Sequence, residues 1–253
     1  MKGCDDMEIG GRTHNTQEIH EVASLGYPYA EICLYDPQEV MGRMDALLEI
    51  KKHYSIYYLA HYPNEDNPLD PDVLKKRFVP RMKELVDLSR ILGITKGTIH
   101  FSMDMRWIDT EIISRKMDLL KEMVDYAQAR DVLLCIENLS EGYESFVPVL
   151  DDIPALGMTL DIGHAQLLGK TNKSFGFMEH LFGQIMHVHV HDNCGGSSVK
   201  DDLHLGLGQG IVDYQAILSR LRQRGYDSTV TMEVNPKDMP STRMEILRCM
   251  GQP

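Results

Sequence analysis

Residues 187–210, HVHVHDNCGGSSVKDDLHLGLGQG, contain four histidines and three aspartates between an alternating run and a glycine-rich turn. Imidazole nitrogens and carboxylate oxygens are common ligands of divalent cations. Further residues of these types stand at the ends of other β-rich runs. The full candidate set is His61, His100, Glu137, Asp161, His164, His189, Asp202, His204 and Glu233. These residue types predict a metal site that is assembled from several segments of the chain.

The donor atoms of this set are nitrogen and oxygen, which suits Zn²⁺, Mn²⁺, Co²⁺ or Mg²⁺ and does not choose between them. We expect one bound ion. The five cysteines are far apart and form no C-x-x-C pair, so neither a thiolate zinc site nor a disulfide framework is indicated. We expect reduced thiols, most of them in the core.

Eight short β-rich runs must position these residues, and amphipathic helical stretches separate the runs. The runs span residues 7–11, 29–35, 55–62, 94–101, 132–138, 158–163, 185–192 and 228–234. Strands that alternate with helices indicate a parallel sheet, and eight such units in 253 residues predict a single (β/α)8 TIM barrel over residues 1–253. Pro80 is expected to bend or split the helical stretch after the third run.

In such a barrel, alternate side chains of each strand point inward, and functional groups gather at the carboxyl ends of the strands. In the last run, STVTMEV, the inward face ends with Glu233 at the mouth. The same parity places other candidates at the tops of their strands, namely His61, His100, Glu137, Asp161 and His189. His187 falls one layer deeper and is expected to be structural, while His191 and Asp192 are expected to orient ligands from outside.

Each candidate has a simpler interpretation when it is considered alone. A single histidine near a strand end is usually a hydrogen-bonded core or rim residue, and Asp161 and His164 can be a helix cap and its neighbour. Glu31, inward on the second run, can pair with a lysine. Nine candidates at one end of six consecutive strands favour a shared metal, because burying so many unpaired polar groups is unfavourable.

The segments CIENLSE, TLDIGHAQ, HVHVHDN, DDLHLGLGQG and TMEVNP, in this order and spacing, resemble the xylose isomerase-like barrel superfamily. That superfamily includes sugar phosphate isomerase/epimerases, hydroxypyruvate and inosose isomerases, and the endonuclease IV family (AP endonuclease family 2). The resemblance implies a principal metal held by Glu137, Asp161, His189 and Glu233. It also implies that the remaining candidates hold up to two additional ions, three in all, or contact the substrate, namely His61, His100, His164, Asp202 and His204.

Two departures bear on the activity that the resemblance implies. Endonuclease IV proteins carry an aromatic and arginine-bearing segment near the second strand, whereas this chain reads YAEICLYDPQEV, with Glu31 as in the sugar isomerases. Ketose 3-epimerases of the superfamily place an arginine after the seventh strand, where this chain has Asp202 and His204, so their particular substrate does not carry over. We expect a sugar or sugar phosphate contacted by Glu31, His61, His100, His164 and Trp107, the last by stacking.

A divalent ion that chelates a carbonyl and the adjacent hydroxyl would acidify the carbon-bound proton and stabilise an enediolate. Glu137 and Glu233 would then act as base and acid. Proton return to the neighbouring carbon gives isomerisation, and return to the opposite face gives epimerisation. Two alternatives stay open: an endonuclease IV-like phosphodiesterase acting on abasic DNA, and a non-catalytic, metal-retaining barrel that binds a ligand.

The formal net charge of −12 argues against loose binding to nucleic acids or anionic membranes. The N-terminus lacks an apolar signal segment and no run of about 18 apolar residues occurs, so we expect a cytoplasmic protein without a membrane segment. Acidic residues in the loop after the third run are expected to face the mouth and to repel DNA. They are Glu65, Asp66, Asp70 and Asp72.

Overall fold

The strands of the barrel follow one another in chain order. In the computed structural model, which describes residues 7–251, eight parallel strands close into a barrel. They are β1 (Glu8–Thr13), β2 (Tyr29–Cys33), β3 (Tyr57–His61), β4 (Lys96–Ile99), β5 (Leu133–Glu137), β6 (Gly157–Asp161), β7 (Ile185–Val190) and β8 (Thr229–Met232). Pairing of β1 with β8, with Gly10 opposite Thr231, closes the ring. The predicted (β/α)8 fold is confirmed, and every observed strand overlaps its predicted run.

Helices connect consecutive strands around the outside of the barrel. They are α1 (Thr16–Ser24), α2 (Pro37–Gly42), α3 (Met44–Tyr54), α4 (Pro71–Val73), α5 (Val79–Leu92), α6 (Thr110–Gln128), α7 (Tyr143–Asp152), α8 (Ser174–His180), α9 (Tyr214–Gln223) and α10 (Met239–Met250). Local sequence sets where they begin: the side chain of Asn15 accepts a hydrogen bond from the backbone N–H of Glu18 at the start of α1. Apolar residues three and four apart form their buried faces, as with Leu120, Met123 and Val124 in α6.

Pro80 lies at the start of α5. Residues Leu74–Phe78 form a π-helical turn between α4 and α5. A proline donates no backbone N–H, and its ring crowds the carbonyl four residues earlier, so the regular α-helical hydrogen-bond pattern gives way to the π-helical turn at this point. From the sequence, Pro80 is expected to bend or split the stretch; the structure interrupts the α-helix with this turn, while helical backbone continues from Pro71 to Leu92.

The hydrophobic core lies between the sheet and the helices, whereas the inside of the barrel is polar. Val230 and Met232 of β8 are fully buried in the core. Thr231, between them, is 3.1 Å from the hydroxyl of Tyr29 on β2, and since β2 and β8 are not neighbours this contact crosses the barrel interior. The interior is therefore held by hydrogen bonds, and the strand tops carry polar side chains.

Strand β1 continues two residues beyond its predicted run and ends at Thr13. Arg12, opposite Glu31 in the register with β2, is thereby placed near the mouth.

The described cysteines are free thiols. Cys33, Cys135 and Cys249 are buried and Cys194 is exposed, as expected for thiols that lie mostly in the core. Cys4 lies outside the described residues. Among residues 7–251, no helix combines the length and the apolar character that crossing a membrane requires.

Candidate metal centre and active site

The carboxyl ends of β5 to β8 bring four predicted ligands together. Nδ1 of His189 lies 3.1 Å from Oε1 of Glu137 and 3.0 Å from Oε1 of Glu233. Oδ2 of Asp161 lies 3.9 Å from the same nitrogen. None of the four residues is more than 2% exposed. We call these four residues the central cluster, in which three carboxylates meet around one buried imidazole nitrogen.

Several buried atoms in and beside the central cluster have no hydrogen-bond partner within the described part of the chain. They include Oδ2 of Asp161, Oε1 of Glu233 and Nε2 of His61. Nε2 of His61 is 3.9 Å from Oε1 of Glu233, so these atoms converge. A buried polar atom left unpaired costs about 1–3 kcal/mol. A divalent cation placed among them would satisfy their lone pairs, and nitrogen and oxygen donors suit such an ion.

A second group of possible ligands shares Glu137 with the central cluster. Oε2 of Glu137 lies 2.7 Å from Nε2 of His100 and 3.5 Å from Nε2 of His61. Ligand atoms of these three residues lie within 4.8 Å of one another. His100 directly follows β4, and its Nδ1 is 2.6 Å from Oδ1 of Asn64. Both ring nitrogens of His100 are thus held by oxygen atoms, Nδ1 by that of Asn64 and Nε2 by that of Glu137.

A third group lies at the ends of β6 and β7 and in the loop after β7. It contains His164, His191, Asp202 and His204, with ligand atoms within 4.8 Å of one another. Oδ2 of Asp202 is 3.1 Å from Nε2 of His164 and 3.0 Å from Nε2 of His204. From the sequence, His191 is expected to orient ligands from outside. The structure instead places it inside the group as a fourth possible ligand.

Asp192 folds the glycine-rich loop that carries two members of the third group. Its carboxylate accepts hydrogen bonds from the backbone N–H groups of Gly208 and Gly210, each at 2.9 Å, and of Val212 at 3.0 Å. A Cβ atom on Gly210 would lie 2.2 Å from the backbone oxygen of Asn193, so a side chain does not fit there. The glycine spacing thus serves close packing of this loop.

Arg12 contacts the central cluster, although the sequence did not identify it as a site residue. Its Nη1 donates to Oε2 of Glu233 at 2.6 Å, and its Nη2 donates to the hydroxyl of Tyr35 at 3.0 Å. The Arg12 side chain is 13% exposed and that of Glu233 is fully buried. The parity of β1 would have placed Arg12 inward, two residues after Gly10, had the strand been extended past residue 11.

The charges in the cluster stabilise one another. Burial alone would raise the pKa of Glu137, but His189 and His100 hold it well below its usual value. Burial is likewise outweighed at Glu233, whose pKa is lowered by Arg12 and His189. Burial would lower the pKa of His189, yet the surrounding carboxylates raise it well above its usual value. A metal that bound here would therefore displace a proton from the imidazole.

Three residues predicted to contact substrate, Glu31, His61 and Trp107, do not line the cavity that opens at the mouth of the barrel. Glu31 is fully buried, and its carboxylate lies 2.9 Å from Nε2 of His187 and 3.0 Å from Nε2 of His189, beneath the central cluster. The partners of Glu31 are thus histidines and not the lysine that its simpler interpretation suggested. Trp107 follows β4 and is 71% exposed.

A cavity of about 460 Å³ opens at the second and third groups. Its lining includes His100, His164 and Asp202 together with the polar side chains of Asn64 and Ser140. Ligand pockets usually measure about 300–1,000 Å³, so the cavity has the size of a small-molecule site. Larger cavities of about 510, 530 and 660 Å³ lie elsewhere and include no member of the three groups.

The acidic loop after β3 does not form the free rim expected from the sequence. The side chain of Glu65 is only 6% exposed, and it accepts a hydrogen bond from Nζ of Lys116 at 2.5 Å. Asp66 and Asp72 each pair with arginine, and Asp70 caps α4. Local cations and backbone N–H groups therefore hold these four carboxylates, which leaves less free negative charge on the loop than the sequence suggested.

Residues 19–249 match the family model described as xylose isomerase-like TIM barrel. An uncharacterized protein of Methanocaldococcus jannaschii is 27% identical over 201 residues, which is 74% of this chain and 67% of that protein. The inosose isomerase of Bacillus velezensis is 22% identical over 239 residues, which is 86% of this chain and 82% of that enzyme.

Solved structures share the architecture. A D-tagatose 3-epimerase-like protein has a TM-score of 0.82 at 24% identity, with 97% of this chain and 98% of that chain covered. The IOLI protein, whose crystal structure has a bound zinc atom, has a TM-score of 0.80 at 17% identity, with 97% and 98% covered. At these identities the likeness shows the fold.

Proposed function

Because this chain belongs to the xylose isomerase-like TIM barrel family, we propose that it is a divalent-metal-dependent isomerase or epimerase of sugars, sugar phosphates or keto-polyols. The observation that carries the proposal is the convergence of Glu137 and Glu233 on one buried point beside His189. The inosose isomerase relative and the epimerase-like structural neighbour support this reaction class.

The central cluster would hold the principal ion, which we propose to be Zn²⁺, Mn²⁺, Co²⁺ or Mg²⁺. When bound, the ion would withdraw electron density from a carbonyl and an adjacent hydroxyl of the substrate and so ease removal of the neighbouring proton. The unpartnered atoms of Asp161 and Glu233 support this assignment, as does the zinc atom of the IOLI protein. The second and third groups offer donors for additional ions or for substrate hydroxyls.

Glu137 and Glu233 would move the proton. One oxygen of each is already held, since Oε2 of Glu137 lies 2.7 Å from His100 and Oε2 of Glu233 lies 2.6 Å from Arg12. The Oε1 atoms then face the centre of the cluster from two sides. A carboxylate fixed in this way can remove a proton from carbon, and the resulting carboxylic acid can return one. Return to the neighbouring carbon is isomerisation, and return from the opposite face is epimerisation.

The lining of the mouth cavity suits a polyhydroxylated substrate. The side chains of Asn64, Ser140, Ser197 and Ser198 offer amide and hydroxyl groups there, beside the imidazoles of the second and third groups. Such neutral donors and acceptors match hydroxyl groups on a sugar. We propose that His100 and His164 contact these hydroxyls, with His61 beneath them, and that Trp107 covers the mouth once substrate is bound.

The test is turnover by protein that has been stripped of metal and reloaded with each candidate ion. Ketoses, aldoses, their phosphates and inososes would be offered in D₂O, and products would be analysed by NMR. We expect one class of sugar to be converted and to acquire solvent deuterium at the reacting carbon. Tight ligand binding without conversion or exchange would instead support the non-catalytic barrel.

The second and third groups favour one further candidate, a phosphodiesterase acting on abasic DNA. The nine residues of the predicted set lie together around the mouth, as a cluster of several ions would require. Glu65 pairs with Lys116 and Asp66 pairs with Arg81, so these two carboxylates contribute less free negative charge that would repel DNA. Incision of an abasic oligonucleotide at low salt, lost in Asp202→Asn and unaccompanied by sugar turnover, would establish this activity in place of the isomerase.

A further inference from the structure

A chain of hydrogen bonds runs up the inside of the barrel from the bottom of β4 to the central cluster. Nζ of Lys96 lies 2.6 Å from Oγ1 of Thr229, and Oγ1 of Thr229 lies 2.6 Å from Nδ1 of His187. Nε2 of His187 lies 2.9 Å from Oε2 of Glu31, and Nε2 of His189 lies 3.0 Å from Oε1 of Glu31. We call the first four residues, Lys96, Thr229, His187 and Glu31, the column.

The donors of the column can be assigned from its two ends. A lysine ammonium only donates and a carboxylate only accepts, so the hydroxyl of Thr229 accepts from Lys96, and Nε2 of His187 donates to Glu31. Neutral His187 then has its lone pair on Nδ1, which accepts the hydrogen of the Thr229 hydroxyl. Glu31, a carboxylate, has acceptor capacity only, so it must receive a hydrogen from Nε2 of His189 as well.

The same assignment fixes which nitrogen of His189 faces the central cluster. With Nε2–H directed to Glu31, Nδ1 is the nitrogen that can release its proton and offer a lone pair to a metal, and it lies 3.1 Å from Glu137 and 3.0 Å from Glu233. Carboxylates that accept from the far nitrogen of a ligating histidine fix its tautomer and its ring orientation. Glu31 has this position, and it is fully buried beneath the cluster.

From these contacts we infer that Glu31 is a positioning residue, which the column holds so that His189 binds the metal through Nδ1. The inference rests on the metal site of the proposed function. It replaces the role of substrate contact that the sequence suggests for Glu31, because both carboxylate oxygens are engaged by His187 and His189.

Zinc affinity of two threonine variants tests the column with a matched control. Thr229 and Thr159 flank His187 on the adjacent strands, and both are buried. Thr229 links Lys96 to His187, whereas Thr159 bonds to Thr98 at 2.9 Å. Thr229→Val and Thr159→Val therefore make the same isosteric change inside and outside the column.

We expect titration calorimetry to show that Glu31→Gln weakens Zn²⁺ binding by about 10- to 100-fold. Thr229→Val should weaken it less, and Thr159→Val should bind like the wild type. Equal affinities of wild type and Glu31→Gln, or of the two threonine variants, would overturn the inference.

A measurement on the wild type covers the case in which Glu31→Gln does not fold. Long-range ¹H–¹⁵N spectra of zinc-loaded, histidine-labelled protein report which ring nitrogen carries the metal. We expect His189 to bind through Nδ1 and to keep a hydrogen on Nε2, and metal on Nε2 would refute the assignment. Zinc binding as expected without sugar turnover would reject the proposed isomerase and leave this inference standing, whereas a wild type that binds no metal would overturn both.

Discussion

Replacement of Arg12 by methionine should lower the stability of the metal-free protein while raising its metal affinity. Methionine keeps the unbranched stem but removes the charge that lies 2.6 Å from Oε2 of Glu233. Breaking a buried ion pair by removing one partner costs about 3–5 kcal/mol. Because Arg12 is 13% exposed and Oε1 of Glu233 keeps its 3.0 Å contact with His189, we expect the lower end, about 3 kcal/mol.

A bound cation supplies the positive charge that Glu233 loses in Arg12→Met. If it recovers half of the lost stability, or about 1.5 kcal/mol, the variant should bind the metal about tenfold more tightly than the wild type. Urea unfolding of the metal-free proteins and calorimetric titration with Zn²⁺ measure the two quantities separately.

Two control variants define what Arg12 does. Arg12→Lys keeps the charge and should lie between the wild type and Arg12→Met in both measurements. Tyr35→Phe removes only the 3.0 Å hydrogen bond to Nη2 and should change stability by about 0.5 kcal/mol or less. Weaker zinc binding by Arg12→Met would refute this reasoning, because it would mean that Arg12 orients Glu233 more than it competes with the metal.

Three further outcomes are expected. A divalent metal should co-purify and raise the unfolding temperature; elemental analysis that finds none, with no thermal shift on adding Zn²⁺, Mn²⁺ or Co²⁺, would reject the site. Glu137→Gln and Glu233→Gln should each lower kcat by about 10²- to 10⁴-fold, while Trp107→Ala should act mainly on KM, and near-normal kcat in both glutamine variants would reject the acid/base pair. Burial, together with the nearby positive charges of His189 and Lys96, lowers the pKa of His187 from 6.5 to about 4. Between these pH values the unfolded chain binds a proton at His187 and the folded chain does not. The metal-free protein should therefore lose stability as the pH drops from 6.5 toward 4. Urea unfolding at pH 7 and pH 5 should show a smaller decline for His187→Gln, and equal declines would show that this histidine does not titrate as described.

The fold and the positions of the candidate ligands follow from local patterns in the sequence. Each strand is a short run with period two, and the inward residue at its carboxyl end can be read directly, as for Glu233 in STVTMEV. Since a parallel barrel gathers these ends at one mouth, Asp161 and His189 come together although they are far apart in sequence.

Contacts that depend on three-dimensional neighbours could not be read in the same way. The predicted run MEIGG ends at its second glycine, whereas the strand continues to Thr13. Arg12 was therefore not recognised as an inward-facing residue of this strand. Lys116, 51 residues from Glu65, neutralises a carboxylate that the sequence placed at an open rim. Nothing in the periodicity of α6 indicates that one of its lysines points to a loop after β3. Charge pairing of this kind requires the packed structure.

The separation of the apolar core from the polar barrel interior explains how one domain can concentrate so many charges. Outward residues such as Val230 and Met232 pack against the helices, so the main hydrophobic contribution to folding does not involve the inward face. The inward face is instead filled with hydrogen-bonded pairs such as Thr98 with Thr159 and with the column, and the remaining charged groups lie above them at the mouth. Some mouth residues are fixed by a neighbouring side chain of their own: Arg12 holds Glu233, and Asn64 holds His100. Changes in these neighbours should therefore alter metal affinity and proton transfer while the surrounding barrel keeps its core.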